Sequence, residues 1–369
     1  MRPNAKLLDD LTAAGLTGRG GAAFSTGIKV RAAFRNRADL IVNACDGEIG
    51  ASKDAVVVAA HLDELIRGAE LVAPHYRQRV LFAAHRGSPT LAQLADARLE
   101  VLAVPHRYVS SEASALVSLA QGGLGRPFAK RVDPVDGGRD STGRRVHPTV
   151  VLNAETVWRV AQIAQHGPGW FRARGTHAEP GPRLATVTGY LSRPTVVETE
   201  AGVPLRELLD AAGGLPGDAR SVLIGGLGGA FLTADEALGV RWSTDDLRRY
   251  GAALGPGVVT VLDPTRCPLD IVGEFLDYAA GETAGQCGPC MFGLPAVATA
   301  WRQLRRSGSD AALGELRRHL GLLPGRGACA FPTGVARFGT SALRVFAGHV
   351  EQHRAGACSY RREAAHAHA

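Results

Sequence analysis

Gly285-Gln286-Cys287-Gly288-Pro289-Cys290 is a C-x-x-C pair, and a third thiol follows in Gly327-Ala328-Cys329-Ala330-Phe331-Pro332. Soft thiolates at this spacing hold zinc or iron–sulfur clusters, although one ligand of a four-cysteine site is missing. Gly288 and Pro289 suit the tight turn that brings two sulfurs to one centre. The pair stands just before a helical stretch, whose first-turn N–H groups and dipole favour an anionic cluster. Buried free thiols and thiol redox motifs use the same spacing, so these readings stay open on spacing alone.

Outward from the pair the period is helical. Helices are expected near 268–281, 290–306, 310–320 and 333–353, joined by glycine-rich turns, which points to an antiparallel bundle. Upstream, Leu184–Tyr190 and Thr195–Glu198 read as strands, Pro204–Ala212 as a short helix and Ser221–Gly226 as another strand. That is a ββαβ module of about 80 residues. Arg172–Pro182 reads as a linker. Residues 1–170 alternate strands such as Leu40–Asn43 and Val80–Ala84 with helices over Val56–Ala73 and Ser111–Ala120, the pattern of an α/β domain. Gly122–Val146 is a long loop rich in glycine, proline and arginine, and Pro148–Arg159 is ordered again.

The 369 residues suffice for two or three cores. A hydrophobic share of 45% and a charged share of 21% exclude wholesale disorder. No apolar run reaches the roughly 18 residues that span a bilayer, and the N-terminus does not open a signal peptide, so a cytoplasmic protein is expected. The net charge of +7 comes almost wholly from arginine. These arginines are scattered and lack an aromatic stacking platform, which argues against nucleic acid as partner and leaves room for an acidic electron carrier. Six cysteines without a secretion signal read as metal ligands or free thiols rather than disulfides.

The N-terminal domain carries Gly18-Arg19-Gly20-Gly21-Ala22-Ala23-Phe24-Ser25-Thr26-Gly27, a glycine-rich loop that can approach a phosphate or flavin or serve as a structural turn. It does not match the dinucleotide G-x-G-x-x-G fingerprint. Lys29 follows, placed to neutralise a phosphate or to stand in solvent. Asn43-Ala44-Cys45-Asp46-Gly47-Glu48 then gathers an amide and carboxylates at the end of a strand, where α/β sheets place ligands.

These motifs, with Pro148-Thr149-Val150-Val151-Leu152-Asn153-Ala154-Glu155-Thr156, occur in the order found in one family. The chain resembles the FMN- and iron–sulfur-carrying, NADH-binding subunit of respiratory NADH:quinone oxidoreductase, together with its hydrogenase and formate dehydrogenase relatives. The resemblance covers nearly the whole chain. It implies a Rossmann-like α/β FMN domain over 1–171, a ubiquitin-like β-grasp (SLBB) domain over 183–264, a four-helix iron–sulfur domain over 265–357 and a flexible tail over 358–369. It places FMN against Gly18, Arg19, Gly20, Gly21 and Lys29, with Asn43, Asp46, Glu112, Asn153 and Thr156 around its ring and ribityl chain. Phe24 and Phe128 match positions that stack the NADH adenine, and Glu48 matches a carboxylate facing the dinucleotide. Cys287, Cys290 and Cys329 match three of four ligands of a [4Fe–4S] cluster, whereas Cys267 matches a cysteine that is not a ligand and is expected as a free thiol.

Departures from the family pattern stand beside these matches. Ala284 occupies the place of the first cluster cysteine, Ala113 that of a carboxylate facing NADH, and Ala32 that of a further stacking aromatic. Cys358 lies beyond a final helix about 30 Å long, at 1.5 Å per residue, and would reach the cluster only if the tail folded back. Water, Glu282, a three-iron cluster or no cluster are the other options for the fourth corner. The resemblance implies an oxidoreductase in which FMN accepts a hydride from NADH or NADPH and electrons pass through the cluster to a ferredoxin, another iron–sulfur subunit or a membrane reductase. No side chain is required as an acid or base. The alternative is a relay or docking subunit that has lost NADH oxidation.

Overall fold

The computed structural model describes residues 3–128, 133–139, 143–358 and 360. Its first part is an open parallel sheet flanked by helices. The chain runs through α1 (Pro3–Ala14), α2 (Thr26–Asn36), β1 (Asp39–Asn43), α3 (Lys53–Ala60), α4 (Leu62–Val72), β2 (Val80–His85), α5 (Pro89–Asp96), β3 (Val101–Val104) and α6 (Ala113–Ala120). A short ribbon of β4 (Gly138–Arg139) and β5 (Arg145–Val146) precedes β6 (Thr149–Asn153) and α7 (Ala154–Arg172). Strand order is β3-β2-β1-β6, all parallel, with Asn43 in register with Asn153. The chain steps outward from β1 to β3 and then returns to the other side of β1. Strand order therefore reverses between β1 and β6, and the crevice beyond their C-terminal ends is where such sheets bind ligands.

Helix α4 buries Leu65, Gly68, Ala69 and Val72, the apolar stripe of a helix lying on a core. A Cβ on Gly68 would meet the Val157 carbonyl oxygen at 2.1 Å, so only glycine permits this approach of α4 to α7. Helix α7 breaks at Gly167 (φ 82°), before Pro168.

The second part is a mixed sheet of order β10-β9-β11-β7-β8, built from β7 (Pro182–Gly189), β8 (Thr195–Glu200), β9 (Ser221–Ile224), β10 (Ala230–Thr233) and β11 (Val258–Val261). Between its strands run α8 (Leu205–Ala211), α9 (Ala234–Gly239) and α10 (Thr244–Leu247), over a core that includes the fully buried Trp242. Strand β7 pairs antiparallel with β8 and parallel with β11, the arrangement of a β-grasp sheet. The expected linker before it is pinned, because the Arg19 guanidinium donates to the carbonyls of Pro180 at 3.0 Å and Pro182 at 3.1 Å.

The third part is helical: α11 (Pro268–Gly281), α12 (Leu294–Ser307), α13 (Asp310–Gly321), α14 (Phe331–Val345) and α15 (Ala347–Arg354). Helix α12 turns Leu294, Val297, Ala298, Trp301 and Leu304 inward, and the Trp301 indole donates to the Leu269 carbonyl at 2.8 Å, tying α12 to α11. The core of this part also takes in Leu227 and Phe231 from the β-grasp and Val109 from the α/β part.

Several expected helices are interrupted. The stretch 56–73 is α3 and α4, divided at His61, whose φ of −133° leaves the helical region. Tyr108–Ser111 is a 3₁₀ turn before α6, and Pro289–Gly293 is a π-helical turn before α12. The expected helix 333–353 is two, α14 and α15, separated at Phe346. The expected loop 122–146 contains the ribbon, and its residues 129–132 and 140–142 lie outside the described residues. Within the expected tail, Cys358 is buried and the Tyr360 hydroxyl donates to the Pro264 carbonyl at 2.8 Å. Residues 361–369 lie outside the described residues.

Candidate cofactor crevice and thiol centre

The crevice at the β1/β6 boundary is built from three segments. The two strands end in asparagines, and both are oriented by hydrogen bonds. Asn43 donates from Nδ2 to the Ser111 carbonyl at 3.0 Å and accepts the Cys45 N–H on Oδ1 at 3.1 Å. Asn153 caps α7 by accepting the Glu155 N–H, receives the Lys53 ammonium at 2.9 Å and donates to Asp54 Oδ2 at 2.6 Å. Above them lies the glycine loop. A Cβ on Gly20 would stand 3.4 Å from Asn153 Cβ, which shows how closely the loop backbone approaches the strand end. Gly20 to Phe24 are exposed, and Gly21 holds φ at 109°, a conformation that favours glycine.

The expected FMN residues divide in this setting. Gly18, Gly20 and Gly21 lie on the loop, and Lys29 stands with its ammonium 5.9 Å from the Phe24 ring centroid. The Arg19 backbone N–H donates to Thr156 Oγ1 at 2.9 Å, so Arg19 and Thr156 lock the loop onto α7. The Arg19 guanidinium is buried, reaches the carbonyls after α7 and does not face the crevice; burial and the neighbouring Arg183 lower its pKa to about 9. Asp46 (φ 46°) accepts the N–H groups of Asp54 and Ala55 at 2.9 and 2.8 Å, capping α3. Burial, with Asp54 close by, pushes its carboxyl up to about 7. Glu112 is the N-cap of α6, accepting from Ser114 N–H at 2.7 Å and Ala115 N–H at 3.2 Å.

The residues expected at the dinucleotide fall in unlike places. Phe24 is 48% exposed on the loop. Phe128 packs against the apolar cluster containing Ile41 and Leu116, and its N–H reaches Ser114 Oγ at 3.2 Å. Both Glu48 oxygens are engaged: Oε2 accepts from the Tyr108 hydroxyl at 2.6 Å and Oε1 from Leu227 N–H at 2.8 Å. Glu48 thus joins the α/β part to the β-grasp, and burial raises its pKa. Ala32, half-buried on α2, packs against the core of the α/β part.

Below the crevice an ionic network, buried at Lys53, Asp54, Glu155 and Arg159 and reaching the surface at Glu198, anchors the floor. Lys53 pairs with Asp54 at 2.7 Å and Glu155 at 3.2 Å, and Arg159 pairs with Glu198 at 2.7 Å. Burial alone would raise the Glu155 carboxyl, but Lys53, Arg159 and Arg19 outweigh it and hold it below the ordinary range. Glu155 also accepts the Leu184 N–H at 2.7 Å, which binds β7 to this floor.

The thiol centre lies at the other end of one short turn. Cys290 is buried in the π-helical turn, and burial, Cys287 and Cys329 together push its thiol up to about 12. Cys287 and Cys329 are half-buried beside it, and the Ala284 backbone N–H donates to the Cys290 sulfur. Soft sulfur donors of this kind are suited to a metal cluster. Ala284 is buried in the helical core and supplies no ligand atom. Glu282, one candidate for the fourth corner, is committed elsewhere: it accepts the Tyr108 N–H at 2.8 Å and pairs with Arg107 Nε at 3.3 Å. Cys358 does return from the tail, but to Cys267. Cys267 is not an isolated thiol either, since its Sγ lies 3.4 Å from His349 Nε2 and 3.3 Å from His353 Nε2.

Tyr108 links the two sites. The turn Tyr108–Ser111 gives its last carbonyl to Asn43 at the crevice. Its first residue packs its ring, tilted by 37°, on Phe331 with centroids 4.8 Å apart, and Phe331 follows Cys329 by two residues. Tyr108 was not among the residues singled out from the sequence, and only its place three residues before Ser111 could have pointed to it.

Fold and site together define an α/β domain with a switch-point crevice, joined to a β-grasp and to a helical part that carries three cysteines. Comparison with known proteins narrows this class. Residues 11–162 match the Nuo51 FMN-binding domain, 184–229 the SLBB domain and 270–353 the NADH-ubiquinone oxidoreductase-F iron-sulfur binding region. The NADH-quinone oxidoreductase F-subunit of Mycobacterium bovis is 30% identical over 94% of this chain and 84% of its own. The chain belongs to the family of these NADH-quinone oxidoreductase F-subunits. NADP-reducing hydrogenase subunit HndC of Solidesulfovibrio fructosivorans is 28% identical over 78% of this chain and 64% of its own. A chain of the NAD+-reducing [NiFe]-hydrogenase in its H2-reduced state superposes with a TM-score of 0.85 at 30% identity, covering 95% of this chain; the present chain spans 63% of that one. Among the described residues no helix is long and apolar enough to cross a membrane.

Proposed function

We propose that the protein is an FMN- and iron–sulfur-dependent electron-transfer subunit that takes reducing equivalents from NADH or NADPH. The observation that carries this reading is the turn Tyr108–Ser111, which accepts a hydrogen bond from Asn43 in the crevice and packs through the Tyr108 ring on Phe331, two residues after Cys329. When bound, FMN supplies the exchange between a two-electron hydride donor and one-electron carriers. The chain's own part is positional. Gly18, Gly20 and Gly21 let the backbone come close to a flat or phosphorylated ligand, and Lys29 supplies a positive charge beside Phe24. Asn43 and Asn153, each with its amide fixed, would orient polar edges of the ring and ribityl chain, and Asp46, Glu112 and Thr156 hold the backbone around them. Cys287, Cys290 and Cys329 would bind a [4Fe–4S] cluster at three corners.

The chain divides for this task at 1–171, 183–264 and 265–357. Electrons would leave to a ferredoxin-like or other iron–sulfur subunit, with the membrane reached only through partners, and the protein working in the cytoplasm. A second reading, a relay subunit without NADH oxidation, is favoured by the full engagement of Glu48 and by Ala113 at the start of α6. Anaerobically purified protein should retain FMN, and Asn153→Ala should weaken that retention at least tenfold without loss of iron, as expected where an oriented polar contact is removed (about 1.4 kcal/mol per tenfold). Preference for FAD, or no flavin at all, would overturn the reading.

A further inference from the structure

Away from the crevice, four side chains converge where the helical part closes on itself. Cys267 is the residue before α11, His349 and His353 lie one turn apart on α15, and Cys358 follows that helix. Their ligand atoms all fall within 4.8 Å of one another. Cys267 Sγ is 3.4 Å from His349 Nε2 and 3.3 Å from His353 Nε2, and Cys358 Sγ is 3.6 Å from His349 Nε2. A tetrahedral zinc with Zn–S about 2.3 Å and Zn–N about 2.0–2.1 Å requires S···N separations of about 3.5 Å. The observed spacings bracket that value.

Burial and orientation point the same way. Relative exposures are 5% for Cys267, 8% for His349, 4% for His353 and 2% for Cys358, so all four residues are buried. His353 Nδ1 lies 2.5 Å from the Arg305 carbonyl, which only accepts, so Nδ1 carries the proton and Nε2 presents its lone pair to the sulfurs. A carbonyl fixing the far nitrogen of an imidazole is the outer support of a metal-ligating histidine. His349 also borders a cavity of about 240 Å³ that Tyr360 lines with it.

We propose that Cys267, His349, His353 and Cys358 form a closed Cys2His2 site for a structural zinc ion. Four protein ligands leave no open position, so the ion fastens rather than catalyses. It ties α15 and the segment after it to the start of α11, and so closes the helical part that carries the thiol centre. The inference does not depend on the flavin reading, because it uses none of the same residues.

The test is metal analysis of the full chain, purified anaerobically with its iron–sulfur cluster in place. About one zinc per chain is expected, absent from Cys267→Ser with iron unchanged, whereas Cys290→Ala should lose iron and keep zinc. Should Cys267→Ser fail to fold, His349→Cys, which keeps four ligands, should still bind zinc. X-ray absorption at the zinc edge of the unaltered protein should then show two sulfur and two nitrogen neighbours. Zinc that is lost with Cys290→Ala, an edge spectrum without sulfur, or a Cys267–Cys358 disulfide with no bound metal would overturn the proposal.

Discussion

Glu155 shows how much one buried residue can carry. It faces Lys53 and Arg159 and holds the β7 backbone, joining the floor of the crevice to the β-grasp. Its pKa lies below the unfolded value, so its stabilising share is present above that value and is lost as pH falls through the folded one. Glu155→Gln leaves two buried cations short of a partner and should cost roughly 3 kcal/mol at neutral pH. The gap to the unaltered protein should shrink as the pH is lowered, because the native carboxyl is then protonated too. Urea denaturation at neutral and acid pH measures both, and a pH-independent gap would show that packing rather than charge is at stake. Individual roles were only partly legible in the sequence. The glycine loop and Asn43 at the end of its strand announce themselves by residue type and place, whereas Asn153 was named only through the family resemblance. The settings of Arg19 and Glu48 were hidden, because a charged side chain near a glycine loop reads the same whether it points into the crevice or into a domain boundary.

At the scale of elements, what the sequence conceals is interruption. Helix α11 was legible to its ends, since Pro268 starts it and the apolar period stops at Gly281. The stretch 333–353 keeps a helical period through Phe346, yet Phe346 leaves the helix (φ −102°, ψ 18°), with its ring 5.3 Å from that of Phe231. That break brings His349 and His353 round to Cys267 and removes the distance that an unbroken helix would set between Cys358 and the core. The His349/His353 spacing, with Cys358 beyond it, was the available signal; its partner Cys267 lies 82 residues before His349, a separation no local pattern bridges. The π-helical turn at 289–293 was equally illegible, although such turns gather at functional sites. With Glu282 and Cys358 both engaged elsewhere, the fourth cluster corner has no protein ligand from either. A cluster held by Cys287, Cys290 and Cys329 should therefore convert to a three-iron form in air. Ala284→Cys should slow that conversion severalfold, read by electron paramagnetic resonance; an unchanged rate would mean that position 284 does not face the cluster.

Over the whole molecule, three cores are stitched by a few contacts: Glu48 to Leu227, Tyr108 to Phe331, and Arg344 to Glu236. The order of domains was legible because each has its own period, parallel strands with helices, then a mixed sheet, then helices alone. How they meet was not, because the joining residues are single side chains scattered over the chain. Their meeting is what makes one short turn serve both crevice and thiol centre, and electron passage between these is the central claim. The most direct measurement is anaerobic addition of NADH to protein loaded with FMN and iron–sulfur cluster, followed by visible absorbance and electron paramagnetic resonance. The account predicts bleaching of the flavin together with the signal of a reduced cluster, at an NADH affinity weakened by the missing carboxylate at Ala113. Reduction of both centres by dithionite but of neither by NADH or NADPH would contradict it and leave a relay subunit in its place.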